Sequence, residues 1–144
     1  MKRYVDKPHL YFIKQSVTDH EKEMQKYVIE KDIVNVPRVI SYNKQLKRMV
    51  MSKVDGMTVA DMYGENVKDV PDEVYTKLVD IVRDLKDNGV CYPDFTGYNF
   101  IIDNNDNDKI WVIDFEHAYR SPEKECPCID NILNGQKSWN TEFA

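Results

Sequence analysis

Three polar side chains in the second half of the chain constrain the fold most. Asp94 is followed five residues later by Asn99, and fifteen residues after that an apolar run ends at Asp114. A carboxylate at the end of an apolar strand needs a partner, because a buried charge is costly unless it is paired or bound to a cation. Two carboxylates and an amide at this spacing can converge on one Mg²⁺-nucleotide. The alternative is ordinary loop chemistry, in which Asp94 and Asn99 cap nearby backbone groups.

The length and composition are those of one compact globular chain. Of 144 residues, 42% are hydrophobic and 31% are charged, and the formal net charge is -5. This is enough chain for one core or for two small lobes around a cleft. The acidic balance argues against nucleic acid as a direct partner, and no apolar run is long enough to cross a membrane. The basic N-terminus has no secretory h-region, so a cytoplasmic location is expected.

The cysteines favour free thiols. Their odd number, three, argues against a disulfide framework and agrees with a reducing compartment. Cys126-Pro127-Cys128 is compatible with zinc binding, but only Cys91 and distant histidines could complete a set of four ligands. The sequence therefore gives weak support to a metal site at these residues.

The first half of the chain is predicted to contain a strand, a helix and a hairpin. Residues 9–14 are rich in aromatic and branched side chains, which is typical of a strand. A helix should begin at Thr18 or the next residue as N-cap, and Pro37 should end it. Two further strands at 38–42 and 48–52 enclose a short polar turn and are predicted to form a hairpin.

The second half is predicted to be mainly helix followed by hairpin. Between residues 71 and 88 apolar positions recur at intervals of three and four, and Gly89 supplies a C-terminal stop. The apolar runs 100–102 and 110–113 flank a polar turn and should form two short strands. One short helix is expected around residues 129–133.

Over residues 9 to 120 the order of these motifs resembles the protein-kinase-like fold. The resemblance rests on a strand lysine, a helix glutamate, a hinge-like segment at 49–56, the pair Asp94 and Asn99, and Ile113-Asp114-Phe115-Glu116. The segment 94–99 is similar to that of RIO-type atypical kinases. Ile113 to Glu116 is similar to the corresponding motif of choline-kinase-like and aminoglycoside-type phosphotransferases.

The resemblance implies a role for each polar residue. Lys14 would be a catalytic residue that binds the nucleotide phosphates, held by Glu23 of the helix, with Glu21 as the alternative partner. Asp94 would be the base that orients the acceptor hydroxyl, and Asn99 and Asp114 would bind the metal. The nucleotide base would lie against a hinge formed by Met51, Ser52, Lys53 and Val54.

Departures from the family pattern are as informative as the matches. Tyr92-Pro93 stands where protein kinases have His-Arg, and Thr96 replaces their lysine. The first glycine is Gly56, so the sequence offers no glycine-rich loop to cover the phosphates. The 25 residues after Tyr119 are too few for a complete set of C-terminal helices.

The implied fold is therefore α+β, a miniature two-lobed protein-kinase-like fold that lacks the Gly-rich loop and most of the C-terminal helical lobe. A reduced N-lobe is expected over residues 1–54 and a reduced C-lobe over residues 55–144, together forming one compact unit.

The implied function is phosphoryl transfer to an alcohol group, with ATP and Mg²⁺ (or Mn²⁺) as cofactors. A protein Ser/Thr acceptor is favoured, because little chain remains to wall a small-molecule pocket. The alternative is a pseudokinase that binds a nucleotide or a kinase-like protein partner and acts by mimicry. A miniature kinase of this kind would suit a compact viral genome and a host-cell location.

Overall fold

The N-terminal part of the fold is a three-stranded antiparallel sheet with one helix. The computed structural model describes residues 10–142, so the start of the first predicted strand, at His9, lies outside the described residues. The elements are β1 (Tyr11–Lys14), α1 (Asp19–Lys31), β2 (Val39–Asn43) and β3 (Arg48–Ser52). The strand order is β1-β3-β2, with Lys14 opposite Met49. The predicted hairpin is confirmed, and β1 lies at an edge of the described sheet.

Helix α1 begins as the sequence predicts and ends earlier than expected. The hydroxyl of Thr18 accepts a hydrogen bond from the backbone N–H of Glu21 at 3.1 Å, which caps the helix. At the other end Asp32 adopts a left-handed conformation with φ of 51°, and its N–H donates to the carbonyl of Ile29. This left-handed cap stops the helix five residues before Pro37.

The remaining elements form the C-terminal part. In chain order they are β4 (Gly56–Thr58), α2 (Val59–Tyr63), a 3₁₀ turn (Val67–Asp69), α3 (Asp72–Asp87), β5 (Val90–Cys91), β6 (Phe100–Asp103), β7 (Ile110–Val112), β8 (Tyr119–Arg120), a second 3₁₀ turn (Pro127–Ile129) and α4 (Asp130–Leu133). Strands β4, β6 and β7 form one antiparallel sheet in the order β4-β6-β7, and β5 pairs with β8. The predicted long helix and second hairpin are confirmed.

Gly56 begins a strand rather than only marking a turn. It pairs with Asp103 of β6. A Cβ atom there would lie 2.2 Å from the carbonyl oxygen of Ile102. Because such a contact with backbone cannot be relieved by a side-chain rotation, only glycine allows β4 to approach β6 this closely.

A continuous core lies beneath the segment 92–99, which we call the Asp94 loop. Its largest members are Tyr92, Phe95, Phe100 and Phe115, all fully buried. Met24 and Val28 of α1 belong to the same core. Residues on both sides of position 54 therefore contribute to one core. The division into lobes at residues 1–54 and 55–144 stays a prediction.

The cysteine prediction is wrong in one respect. Cys91 and Cys126 form a disulfide, and only Cys128 is free. Pairing of β5 with β8 returns the chain to Cys91, so two residues 35 positions apart come together. No local pattern in the sequence indicates this long-range approach.

Within residues 10–142, the structure contains no helix of the length and apolar character needed to span a membrane.

Candidate functional site

A cavity of about 320 Å³ lies between the two three-stranded sheets and gathers most of the residues proposed for nucleotide binding. Lys14, Asn99 and Asp114 provide its polar end. Its other walls are Phe12, Pro37, Met51, Ser52, Lys53, Val54, Ile101 and Ile113. A mostly apolar cleft with a few convergent polar groups is the usual form of a small-molecule site.

Lys14 is held between two carboxylates at the polar end of this cavity. Its Nζ lies 2.5 Å from Oε2 of Glu21 and 3.4 Å from Oδ1 of Asp114. Burial alone would lower the pKa of Lys14, but the two carboxylates raise it above its ordinary value. Burial raises the pKa of Glu21 and the ammonium group opposes that effect. The ammonium of Lys14 is thus charged and fixed in direction at neutral pH.

The partner of Lys14 is Glu21 and not Glu23, so the expected pairing with Glu23 is wrong. The side chain of Glu23 is 64% exposed and pairs with Lys22, whereas that of Glu21 is 2% exposed. Two residues apart on an α-helix means about 200° around its axis, so the two glutamates face opposite sides. Glu21 precedes Met24 and Val28 by three and seven residues and so shares their buried face of the helix, a spacing that could have distinguished the two glutamates.

Asp94 is buried beside a histidine and lies outside the lining of the cavity. It is 5% exposed, and Nδ1 of His117 lies 2.9 Å from its Oδ2. Burial raises the pKa of Asp94, while the hydrogen bond to His117 opposes this. Burial lowers the pKa of His117, but the hydrogen bond and charge of Asp94, together with the charges of Glu116 and Asp114, raise it above its ordinary value. His117 is not part of any of the motifs, and nothing in the sequence indicates its contact with Asp94.

Asn99 is oriented by the Asp94 loop. Its Nδ2 donates to the carbonyl of Asp94 at 2.9 Å and lies 3.4 Å from the hydroxyl of Thr96. These bonds are the local capping that the loop interpretation expects. They also fix which end of the amide is the oxygen, the atom that can bind a cation.

Asp114 follows β7 in a left-handed conformation, with φ of 65°. Aspartate tolerates this conformation better than most residues. Its Oδ1 lies 3.3 Å from the backbone nitrogen of Glu116, which donates to it. Just before it, the carbonyl of Ile113 accepts a hydrogen bond from the hydroxyl of Tyr92. The end of β7 is thus tied to the Asp94 loop.

The donor set at this end of the cavity suits a hard cation. Carboxylate oxygens of Glu21, Asp114 and Glu116 lie within 4.8 Å of one another, beside Lys14. Oxygen ligands of this kind favour Mg²⁺ or Mn²⁺ over softer metals. Lys14 lies closer to Glu21 than to Asp114, so Asp114 and Glu116 are the carboxylates better placed to bind an ion. Asn99 lines the same cavity and could add its amide oxygen.

The hinge residues differ in the backbone groups that they can offer. The N–H of Ser52 donates to the carbonyl of Arg38 at 2.9 Å, and that of Lys53 donates to Leu10 at 3.0 Å. Met51 is buried at the back of the cavity, where Gln25 contacts its sulfur. Of the backbone N–H groups of Ser52, Lys53 and Val54, the first two are therefore already used within the fold.

Comparison with known proteins places the chain among kinases. A model of the RIO domain family matches residues 2–126. The 3-deoxy-D-manno-octulosonic acid kinase of Vibrio cholerae serotype O1 is 32% identical over 98 residues, a stretch that covers 60% of this chain. The match covers 38% of that kinase, so the chain spans well under half the length of this curated relative.

Three solved structures are similar in fold. The Rio2 kinase complex with ADP/Mg²⁺ and phosphoaspartate from Chaetomium thermophilum has a TM-score of 0.58 and 24% identity, covering 80% of this chain and 35% of Rio2. The kinase PK-1 of Cydia pomonella granulovirus has a TM-score of 0.57 and 15% identity, covering 80% and 46%. The Rv3197–erythromycin complex from Mycobacterium tuberculosis has a TM-score of 0.56 and 18% identity, covering 72% and 27%.

These structural likenesses concern the fold, which is the kinase-like fold that the order of motifs implied. The family model, in contrast, matches the sequence itself over most of its length, from the strand of Lys14 to the segment beyond Asp114. The chain therefore belongs to the RIO domain family, within the protein-kinase-like superfamily of phosphotransferases.

Proposed function

We propose that this chain transfers the γ-phosphoryl group of ATP, in the presence of Mg²⁺, to an alcohol group, with a protein Ser/Thr side chain as the acceptor. The observation that supports it most is the meeting of Lys14, Asn99 and Asp114 with the hinge residues in one cavity. These residues lie far apart in the sequence. If Asn99 only capped nearby backbone groups, there would be no reason for it to line the same cavity as Lys14 and Asp114.

The polar end of the cavity would bind the phosphates. Lys14, charged and held by Glu21, would contact the α- and β-phosphates as a fixed positive group. Asp114 and Asn99, with Glu116 beside them, would hold the Mg²⁺, which supplies neutralisation of the charge on the transferred group. These residues stabilise charge and fix position, which is the main protein contribution to phosphoryl transfer.

The apolar end of the cavity would take the adenine ring. Met51 forms its back wall, and Phe12, Ile101 and Ile113 supply apolar contact. Because the N–H groups of Ser52 and Lys53 are bonded within the fold, we assign the backbone contact with the base to Val54.

Asp94 would act on the acceptor. Its carboxylate is the group that accepts or orients the hydroxyl proton during transfer. In the free protein both of its oxygens are within hydrogen-bond distance of Nδ1 of His117, at 2.9 and 3.0 Å. An acceptor hydroxyl must therefore share or replace this contact when it binds.

The acceptor proposal is supported by the position of Asp94 relative to the cavity. The cavity between the sheets is filled by the nucleotide in this assignment, and Asp94 lies outside its lining. The relative from Vibrio cholerae is named for a sugar acid. The hydroxyl group of a sugar acid is therefore the alternative acceptor, to be tested beside a protein hydroxyl.

Phosphate transfer from labelled ATP tests this function. Purified protein is incubated with Mg²⁺ and γ-labelled ATP, once with casein and once with 3-deoxy-D-manno-octulosonic acid. We expect labelled casein, and a loss of about 100-fold or more in Asp94→Asn and in Asp114→Asn. Asp87→Asn, at the exposed end of α3, is the matched control and should keep its activity.

The outcome separates the candidate functions. Transfer that persists in both site variants would overturn the enzyme proposal, and label on the sugar acid alone would overturn the acceptor. A pseudokinase is the second candidate, because β1 lies at the sheet edge and no glycine-rich turn within residues 10–142 covers the phosphate end of the cavity. The pseudokinase function would be supported if ATP binds and no phosphate is transferred to either acceptor.

A further inference from the structure

All three cysteines of the chain meet behind the Asp94 loop. Cys91 ends β5, and Cys126 and Cys128 lie on either side of Pro127 at the second 3₁₀ turn. Beside the bonded pair, Sγ of Cys128 lies 3.8 Å from that of Cys91 and 4.0 Å from that of Cys126. The pattern Cys-Pro-Cys, which looked incomplete as a ligand set, is thus joined by a third sulfur.

The spacing of the sulfurs is that of ligands around one metal ion. Zinc binds thiolates at about 2.3 Å in a tetrahedral arrangement, which puts the sulfurs about 3.8 Å apart. Cys128 already meets this spacing with both neighbours. Only the bonded pair, Cys91 and Cys126, must separate, and reduction of their bond allows this with side-chain movement because their Cα atoms are 5.1 Å apart.

We propose that the Sγ atoms of Cys91, Cys126 and Cys128 bind one Zn²⁺ ion when the Cys91–Cys126 bond is reduced. A thiol or phosphine reductant supplies the two electrons that split the disulfide. The three thiols then release three protons to solvent as three Zn–S bonds form, and zinc keeps its oxidation state. Within residues 10–142 the cluster contains these three protein ligands, so water takes the fourth position.

Such a site would preserve the same link in reducing conditions that the disulfide makes in oxidising ones. Cys91 ends β5, three residues before Asp94, and Cys126 and Cys128 lie in the segment after β8. Zinc would therefore fasten the segment after β8 to the strand that leads into the Asp94 loop. The inference does not depend on the proposed phosphotransferase activity.

Cobalt substitution tests the site. The full chain is reduced with a phosphine, freed of reductant without oxygen, and titrated with Co²⁺ in excess Mg²⁺, which occupies the oxygen ligands near Lys14. We expect a thiolate-to-cobalt charge-transfer band that saturates at one ion per chain and is removed by one equivalent of Zn²⁺. A cation held only by carboxylates gives no such band.

Two comparisons make the test decisive. Cys128→Ser changes a half-exposed residue outside the disulfide, so the fold should survive, and we expect about 100-fold weaker Co²⁺ binding with roughly a third of the band lost. Oxidised wild type, which keeps a single thiol, should show no band. The proposal is overturned if either protein binds Co²⁺ as the reduced wild type does, or if reduced wild type shows no charge-transfer band.

Discussion

Lys14 is the side chain on which the proposed phosphate contact depends, and its position comes from Glu21. The two form a partly buried ion pair, since Lys14 is 27% and Glu21 is 2% exposed. We expect Glu21→Gln to weaken Mg²⁺-ATP binding about tenfold, because the ammonium loses its charged partner and its fixed direction. The loss of the pair should also lower the free energy of unfolding by about 1 to 3 kcal/mol.

Glu23→Gln is the matched control for this change. It removes the same charge two residues away, where the carboxylate is exposed and pairs with Lys22. Surface ion pairs contribute little, so both the ATP affinity measured by calorimetry and the stability should stay near wild type. If the two substitutions had equal effects, the loss of one negative charge would explain both, and the pair between Glu21 and Lys14 would have no special role.

The contact between His117 and Asp94 makes the stability depend on pH. Burial lowers the pKa of His117, but the hydrogen bond and charge of Asp94 and the charges of two further carboxylates together raise the folded-state pKa above its ordinary value of 6.5. A raised histidine pKa means that the stabilising contribution is complete below pH 6.5 and is lost as the pH rises through the folded value. Burial raises the pKa of Asp94 above its ordinary value, and the hydrogen bond to His117 opposes this.

We therefore expect the free energy of unfolding to fall as the pH rises from about 6 to about 8. Glu116 and Asp114 also face this histidine and act in the same direction as Asp94. Urea unfolding of wild type and His117→Asn across this range measures the effect. The variant should have a flatter profile, and an unchanged slope would mean that another group titrates there.

The choice between Glu21 and Glu23 and the contact of His117 show how far single residues can be predicted from the sequence. The order of motifs identified Lys14, Asn99 and Asp114, which share the cavity. It did not choose correctly between Glu21 and Glu23, because that choice depends on which helix face turns inward. His117 carries no spacing motif, and its contact exists only because the turn after Asp114 folds back towards Asp94.

The C-terminal segment 134–142 supports the Asp94 loop from behind. The N–H of Asn140 donates to the carbonyl of Phe95 at 2.9 Å, and its Nδ2 donates to that of Pro93 at 2.6 Å. Trp139 packs beside Phe95, with ring centres 5.5 Å apart. These contacts hold the loop in place.

Asn140→Ala should therefore destabilise the protein by about 1 to 2 kcal/mol, because the buried carbonyl of Pro93 loses its donor. Urea unfolding measures this as a lower midpoint at an unchanged slope. Asn107→Ala, in the exposed turn between β6 and β7, is the control and should stay within about 0.5 kcal/mol of wild type. No difference between the two variants would exclude the supporting role.

Elements differ in how well local sequence predicts them. Helix α3 follows from its regular apolar spacing, and both hairpins follow from strand runs on either side of polar turns. The short strands β4, β5 and β8 were not predicted, because two or three residues carry no period and their pairing depends on distant chain. The same reason applies to the disulfide between Cys91 and Cys126.

The whole molecule brings its site together from residues that are far apart in the sequence. Lys14 and Asp114 are 100 positions apart and are joined across the cleft between the two sheets. The parallel bridge between Asn35 and Trp111 fastens the chain after α1 to β7. The order of motifs could predict this meeting because it resembles a known fold, whereas local pattern alone could not.

Little backbone surrounds the polar end of the cleft within residues 10–142. Strand β1, which carries Lys14, is an edge strand of the described sheet, and no glycine-rich turn among these residues covers it. With fewer backbone donors around the phosphates, binding must depend strongly on the cation and on Lys14. A nucleotide in this cleft should therefore be unusually sensitive to Mg²⁺.

Calorimetric titration of ATP into the protein, with Mg²⁺ and with a chelator, is the most direct test of the central claim that this cleft is a Mg²⁺-nucleotide site. We expect one ATP per chain and an affinity at least about tenfold weaker without Mg²⁺. Asp114→Asn keeps a residue that tolerates the left-handed conformation and should abolish the dependence on Mg²⁺. Binding that is absent, or that is equally strong without Mg²⁺ and in Asp114→Asn, would contradict the claim.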